Sequence, residues 1–420
     1  MKILFTNTWD IKGGAARAAY RLMGALKKIN IDTNIIVQNK IGFDDLIIGP
    51  KTNISKFLLM IRPKLDELIA HIFYRKIVGY FFPALIPDRF NKRIDELSYD
   101  ILHLHWIAGG FIKIETLKLI KKPIVWTLHD FWAFTGGCNL PENCSRFQNK
   151  CGQCPVLGSR FKYDLSFMGW VRKNITYSKL NLTIVSPSNY LAKKAKESSL
   201  FKNFTIKVIP NCIDIQKFSP KSKSIARELI HLPEGKKIVL AGAVNITDYY
   251  KGHYKLLNIL KILNERDSAS SIEVILIGQN NKIFSEFSNL HIRDFGYLHD
   301  ELSLSILLSA VDLFIIPSLV ENFPNMVIEA MACGTPCVAF NQGGIPDIID
   351  HKLNGYLAEA FNESDFVYGI DWILLHLSEK TNELSRNARL KVESTYEESI
   401  IAKKYQLLYE NILKKDANEK

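Results

Sequence analysis

The sequence predicts an α/β protein of two consecutive halves, each a set of strands alternating with helices. Three observations carry that reading. At 420 residues, 47% apolar and 23% charged, the chain is too long for one compact core. Short apolar runs alternate with segments of helical periodicity from the first residues onward. A turn-rich stretch, Pro210 to Pro220, interrupts the alternation, which then restarts.

In order, Ile3–Thr6 reads as a buried strand. Gly13–Gly14 follows, then a helix whose apolar positions Ala15, Ala19, Leu22, Met23 and Leu26 recur at helical spacing. Glycines at such a point let a ligand approach the backbone, and the helix N-terminus offers free N–H groups to an anion, although a simple tight turn reads the same way. Asp32–Gln38 is the next strand. Ile54–Phe90 combines Leu, Ile, Phe and Tyr with Lys56, Arg62, Lys64, Arg75, Lys76 and Arg89. That composition predicts an amphipathic helix pair, suited either to an anionic membrane surface or to ordinary core packing. Tyr99–His105 is a strand. Lys122–Leu128 is another, delivering His129 and Asp130 to its carboxyl end, where α/β sheets hold ligands. Leu182–Pro187 and Ile206–Ile209 complete six or seven strands.

The second half opens with the strand Lys237–Val244, the helix Gly252–Leu263 and the strand Ile272–Ile277. The strand Val311–Pro317 then feeds a stretch that holds Glu321 in a loop and Glu329 inside a helix, with seven residues between them. A further strand, Thr335–Phe340, and a glycine turn at Gly343–Gly344 follow. A loop carboxylate beyond a strand end and the first turns of the next helix are places where a polar ligand can be held. Two α/β halves also imply a cleft, the usual place for ligands.

Composition excludes several classes. Aromatics at 11% and the absence of repeats argue against disorder. The net charge of +11 invites a nucleic-acid reading, but no helix-turn-helix, zinc-finger or RNA-binding signature is present. Lysines such as Lys193, Lys194 and Lys196 read as a solvated helix face. No apolar run reaches the roughly 18 residues of a membrane span, and MKILFTNTWD lacks a signal-peptide pattern, so a cytoplasmic location is expected.

Four of the seven cysteines, Cys138, Cys144, Cys151 and Cys154, fall within seventeen residues of a loop without apolar periodicity. In a reducing compartment four thiolates with a C-x-x-C arm suit a structural zinc ion. A disulfide-bonded or redox loop and unligated thiols are the alternatives. Cys212, Cys333 and Cys337 have apolar neighbours and read as small core or linker residues.

Glu321-x7-Glu329, the following Ala-Met-Ala-Cys-Gly-Thr-Pro, Gly343-Gly344-Ile345-Pro346-Asp347 and Asn354-Gly355 together resemble the nucleotide-sugar site of the family 4 glycosyltransferases. Gly13-Gly14, the strand end at His129-Asp130, Pro210-Asn211 with Ile213-Asp214, and Lys251-Gly252 fall in that family's order, so the similarity spans nearly the whole chain. The cysteine loop after Trp132-Ala-Phe-Thr-Gly-Gly resembles the branch associated with colanic-acid and exopolysaccharide synthesis.

The resemblance implies the GT-B fold: two Rossmann-like domains with parallel sheets facing a central cleft, and a C-terminal helix crossing back to the first domain. On this sequence that places an acceptor-side domain at 1–210, its Cys-rich loop at 136–158, a linker at 211–222, a nucleotide-sugar domain at 223–395 and the crossover helix at 396–420. It implies retaining transfer from a UDP- or GDP-linked sugar to a lipid-linked or polysaccharide acceptor in cell-surface polysaccharide biosynthesis, by an enzyme peripheral to the cytoplasmic face of the membrane. No Asp-x-Asp pair of the metal-dependent transferases is present, so no catalytic cofactor is expected. Lys251 would stabilise the departing diphosphate, helped by the N–H groups of Gly13, Gly14 and the helix after Pro324. Glu329 would accept hydrogen bonds from the ribose, Glu321 would hold donor-sugar hydroxyls with Asn322 and Phe323 beside it, and His129 would contact the sugar near the reacting centre. The chain departs from the family at Ala241-Gly242-Ala243-Val244-Asn245, where an arginine is usual, and at Cys212, where a glycine is usual. A GT-B epimerase or phosphorylase, or a non-enzymatic sugar-binding scaffold subunit, are the other readings.

Overall fold

The computed structural model describes residues 1–245, 247–279, 287–378 and 382–418. The chain divides into two compact units, the first formed by Met1–Asn211 together with Ile401–Lys420 and the second by Cys212–Ile400.

The first unit is organised on a seven-stranded sheet. Its elements run β1 (Lys2–Trp9), α1 (Gly14–Lys28), β2 (Asp32–Asn39), β3 (Ile47–Ile48), α2 (Asn53–Phe73), α3 (Phe90–Asp95), β4 (Ile101–Leu104), β5 (Ile124–Thr127), α4 (Leu165–Tyr177), β6 (Leu182–Ser186), α5 (Asn189–Glu197) and β7 (Thr205–Val208). The strand order is β3-β2-β1-β4-β5-β6-β7, with neighbours parallel, Phe5 lying beside Ile35 on one side and His103 on the other. β1, β4 and β5 are buried along nearly their whole length, as expected of a parallel sheet covered on both faces. The chain order reverses between β1 and β4. The carboxyl ends of β1, β4 and β5 therefore flank the position where doubly wound sheets bind ligands.

The expected helix pair over 54–90 is not formed. α2 is a single helix ending at Phe73, and residues 74–89 carry no helix. Gly79 there has φ +86°, and Pro83 and Pro87 remove backbone donors. The segment instead pairs with the cysteine loop, Val78 N–H donating to Val156 O at 2.8 Å and Phe82 N–H to Gly137 O at 2.8 Å. Within α2 itself only Asp66 and Ala70 are buried, so the helix does not serve as an ordinary core helix.

The second unit repeats the scheme with α6 (Lys223–Leu229), β8 (Lys237–Asn245), α7 (His253–Asn264), β9 (Ile272–Gln279), β10 (His291–Asp294), α8 (Glu301–Ala310), β11 (Leu313–Ile316), α9 (Asn325–Ala332), β12 (Cys337–Phe340), β13 (Gly355–Ala358), α10 (Glu363–Ser378) and α11 (Glu383–Thr395). Its parallel sheet has the order β10-β9-β8-β11-β12-β13, reversing between β8 and β11. Cys212, Cys333 and Cys337 are buried. The final helix, α12 (Glu398–Asn418), contributes its residues from Ile401 onward to the first unit. Tyr409 Oη lies 2.7 Å from His103 Nδ1, and Tyr405 Oη lies 3.0 Å from Thr127 Oγ1.

Candidate active site

In the second unit the reversal of strand order sets β8 beside β11, with Val239 next to Leu313 and Ala241 next to Ile315. The segment after β8 turns through Tyr249–Lys251 into Gly252, which caps α7 with φ +72°. A Cβ at Gly252 would lie 1.9 Å from the Pro317 carbonyl oxygen, so only glycine lets this turn press against the chain leaving β11. Leu319 N–H donates to Tyr250 O at 2.9 Å across the same contact. The result is that Lys251 Nζ sits 2.7 Å from Glu321 Oε1, although 70 residues separate them.

Glu321 is held from the other side as well. Gly343 has φ +61° and a Cβ there would fall 2.3 Å from the Glu321 carbonyl oxygen, while Gly344 N–H donates to that oxygen at 2.9 Å. The two glycine turns thus clamp one loop. The Glu321 side chain is 10% exposed and that of Lys251 39%. Burial opposes the ammonium charge, but the attraction and hydrogen bond of Glu321 outweigh it and raise the Lys251 pKa. Lys251 is therefore a fixed cation rather than a freely solvated lysine, and Glu321 is not a helix cap.

Glu329 lies in the second turn of α9 at 0% exposure, so it is not a solvated acid of the helix surface. A carboxylate closed off from water is costly unless polar groups hold it, so its place is a requirement of the site or the core rather than a solvated choice. Asn322 and Phe323 occupy the loop between Glu321 and the Pro324 cap of α9. The Phe323 ring is buried, edge-on to Tyr396 with centroids 5.5 Å apart, and Tyr396 Oη donates to Asp347 O at 2.7 Å. At the end of the Ala241–Asn245 stretch, Asn245 accepts from Thr247 Oγ1 at 2.8 Å.

In the first unit Gly13, at φ +91°, caps α1, and its carbonyl accepts from Arg17 N–H at 3.1 Å. Nothing lies within 4 Å of a Cβ placed there, so the positive φ rather than space calls for glycine. Gly14 opens the helix. Asp10 braces the same loop, its carboxylate accepting from the N–H groups of Ile41 and Gly42 at 2.7 Å each.

His129 does not stand alone. Its Nε2 lies 2.9 Å from His105 Nδ1, with the rings stacked at 5.1 Å, and His105 in turn lies 4.5 Å from the His103 ring. Burial pushes His129 down to about 4 and His103 to about 3, and drives His105 well below its ordinary value. One ring must donate and the other accept between His105 and His129, which fits two neutral imidazoles. Asp130 accepts from Trp132 N–H at 2.8 Å, Trp106 Nε1 at 2.9 Å and Asn139 Nδ2 at 2.8 Å, and burial raises its pKa to about 6. His103 and His105 belong to no motif of the sequence. Their signal is the Tyr-Asp-Ile-Leu-His-Leu-His alternation, which puts His103 in β4 and His105, just past its end, on the same side.

The chain matches the family model described as Glycosyltransferase Family 4 over residues 12–217 and the one described as Glycosyl transferases group 1 over residues 223–391. A protein of Escherichia coli strain K12 named as a colanic acid biosynthesis glycosyl transferase, WcaC, is 24% identical over 265 residues, which are 60% of this chain and 61% of that protein. Among solved structures, sucrose-phosphate synthase from Thermosynechococcus elongatus superposes with a TM-score of 0.69 at 17% identity, over 98% of each chain. HepE of Anabaena, solved in complex with UDP-glucose, gives a TM-score of 0.65 at 16% identity over 98% of this chain and 100% of that one. At those identities the likeness to solved structures shows the fold, which is GT-B.

Proposed function

We propose that this chain, which belongs to glycosyltransferase family 4, moves a sugar with retention from a nucleoside-diphosphate sugar to a lipid-linked or polysaccharide acceptor of the cell surface. The observation that carries the donor side is the Lys251–Glu321 pair, built by two glycine turns at the carboxyl edge of the second sheet. Breaking the anomeric C–O bond leaves negative charge on the departing diphosphate, and a cation held in place beforehand stabilises it without reorganisation. Lys251 supplies that charge. Glu321 accepts from the ammonium and from donor-sugar hydroxyls, and Glu329 serves the ribose. On the first unit, His129 contacts the sugar as a neutral imidazole and Gly13–Gly14 present the amide end of α1. The complex of HepE with UDP-glucose supports a UDP-linked donor, and the likeness to WcaC supports an exopolysaccharide acceptor.

The acceptor side rests on α2. Ile54, Phe57, Leu58, Met60, Ile72 and Phe73 are exposed on it, with Lys51, Lys56 and Lys64 in or beside the helix. Apolar side chains and lysines together suit the face of an anionic bilayer, where a lipid-linked acceptor and a peripheral enzyme meet. Among the described residues no helix is long and apolar enough to cross a membrane.

The test is a panel of UDP- and GDP-sugars with membrane extract, read as release of nucleoside diphosphate. Wild-type protein is expected to turn over one donor, equally well without added Mg²⁺ or Mn²⁺. Glu321→Ala and Lys251→Ala are each expected to lower the rate by about 10²–10³-fold, the scale of losing one charge-stabilising group. Undiminished release in either variant sinks the assigned role, and donor binding without turnover favours a scaffold.

A further inference from the structure

The loop between β5 and α4 has little regular structure, yet it buries Phe147, Val156 and Leu157 along with most of its cysteines. Cys138, Cys151 and Cys154 are buried in it and Cys144 is half-buried. All four line one small void of about 10 Å³. That is the room of about one water-sized sphere, enough for a single ion and too little for a ligand.

Backbone donors reach two of the sulfurs. Gly136 N–H donates to Cys151 Sγ at 3.1 Å, and the backbone N–H groups of Leu157 and Val156 donate to the Cys154 sulfur. Burial nonetheless holds the Cys138, Cys151 and Cys154 thiols above their ordinary range, so a bound cation is what would ionise them. Two basic side chains complete the surroundings. Lys173 is 2% exposed, donates to the carbonyl oxygens of Trp132 and Thr135, lies 3.9 Å from the Trp132 ring centroid and acts electrostatically on Cys138 and Cys151. Arg146, which also lines the void, donates to the carbonyls of Gly152 and Gln153 and so pins the C-x-x-C arm. Burial pushes Lys173 down to about 7, whereas Arg146 is exposed at the mouth of the loop. The turn of that arm is itself specialised, with Gly152 at φ +137° and Gln153 at φ +46°.

From these contacts we propose that Cys138, Cys144, Cys151 and Cys154 bind one structural zinc ion, whose tetrathiolate charge Lys173 and Arg146 offset. Among the described residues no three His, Cys, Asp or Glu side chains are already gathered as a metal site, so binding draws the sulfurs inward around the void. Zinc–sulfur bonds of about 2.3 Å set how far. The ion would brace the candidate site of this unit from behind. Asn139, next to Cys138, holds Asp130 by its side chain and Phe131 through its carbonyl, and the bonds to Val78 and Phe82 tie down residues 74–89.

The experiment is metal analysis of the full chain purified without chelator. About one equivalent of zinc is expected, and Cys151→Ser and Cys154→Ser should each lower it to about a tenth, while Cys333→Ser retains it. Where a serine variant fails to fold, mercurial titration of the wild type decides: zinc should leave as four thiols react. Wild-type protein with under about a tenth of an equivalent, zinc kept in Cys151→Ser, or a mass showing a disulfide within 138–154 each overturns the proposal.

Discussion

Acidification from about pH 7 to about pH 5 should weaken the first unit, and the contiguous histidines at the carboxyl ends of β4 and β5 set the size of the effect. His103, His105 and His129 have folded pKa values held far below the ordinary 6.5, two of them at about 3 and about 4. Each stays neutral in the folded chain at pH 5, while the unfolded chain takes up the proton. Such a group contributes fully above pH 6.5, and its contribution drains away as pH falls toward the folded value. At about 1.4 kcal/mol per pKa unit, each histidine removes about 2 kcal/mol over that interval. Asp66 and Asp130 work against this. Burial raises both to about 6, so they bind protons in the folded state first and return about 1 kcal/mol each. The histidines win, with a net loss of about 3–4 kcal/mol, a large share of the stability of a domain. Urea titration followed by tryptophan emission reads this unit, because Trp9, Trp106, Trp126, Trp132 and Trp170 lie in it and only Trp372 lies elsewhere. The midpoint should fall by about 1–2 M between the two pH values. His105→Gln removes one titrating ring and should remove about 2 kcal/mol of the pH dependence, separating the histidines from any acid release of zinc. A midpoint that holds or rises at pH 5, or a His105→Gln protein with the wild-type slope, refutes the reasoning.

Two further outcomes follow from the geometry. Gly252→Ala forces a Cβ to within 1.9 Å of the Pro317 carbonyl at φ +72°; it should lower stability by about 1–3 kcal/mol and cut turnover as Lys251 shifts, and a variant with wild-type melting and rate would show that the turn is not under this constraint. Replacing Phe57, Ile72 and Phe73 together by serine should abolish cosedimentation with vesicles containing phosphatidylserine while leaving far-ultraviolet dichroism unchanged; vesicle binding equal to wild type would remove the membrane role of α2.

Much of the fold could be read from residue order. β1, β4 and β5 are short apolar runs because both faces of a parallel sheet are covered, and such runs stand out from the helical periodicity around them. The boundaries of α2 could not be read the same way. Leu, Ile and Phe between lysines look alike on a core helix and on a surface helix, and the pairing of residues 74–89 with the cysteine loop depends on contacts far along the chain. His103 and His105 were visible as an alternation, yet their stacking on His129 needs β4 and β5 side by side.

What the sequence by itself determined is therefore local and ordered: two rounds of strand and helix, glycine at positions of positive φ, and the family motifs in register from Gly13 to Asn354. Only the tertiary structure decided which of those residues meet. Lys251 and Glu321 are 70 positions apart, and they touch because the strand order reverses between β8 and β11 and Gly252 lacks a side chain. Four cysteines could be counted along the loop, but only its folding turned all four toward one void, with amide donors and Lys173 around them. Periodicity records what each residue needs from water, whereas a site depends on which strands the sheet places side by side.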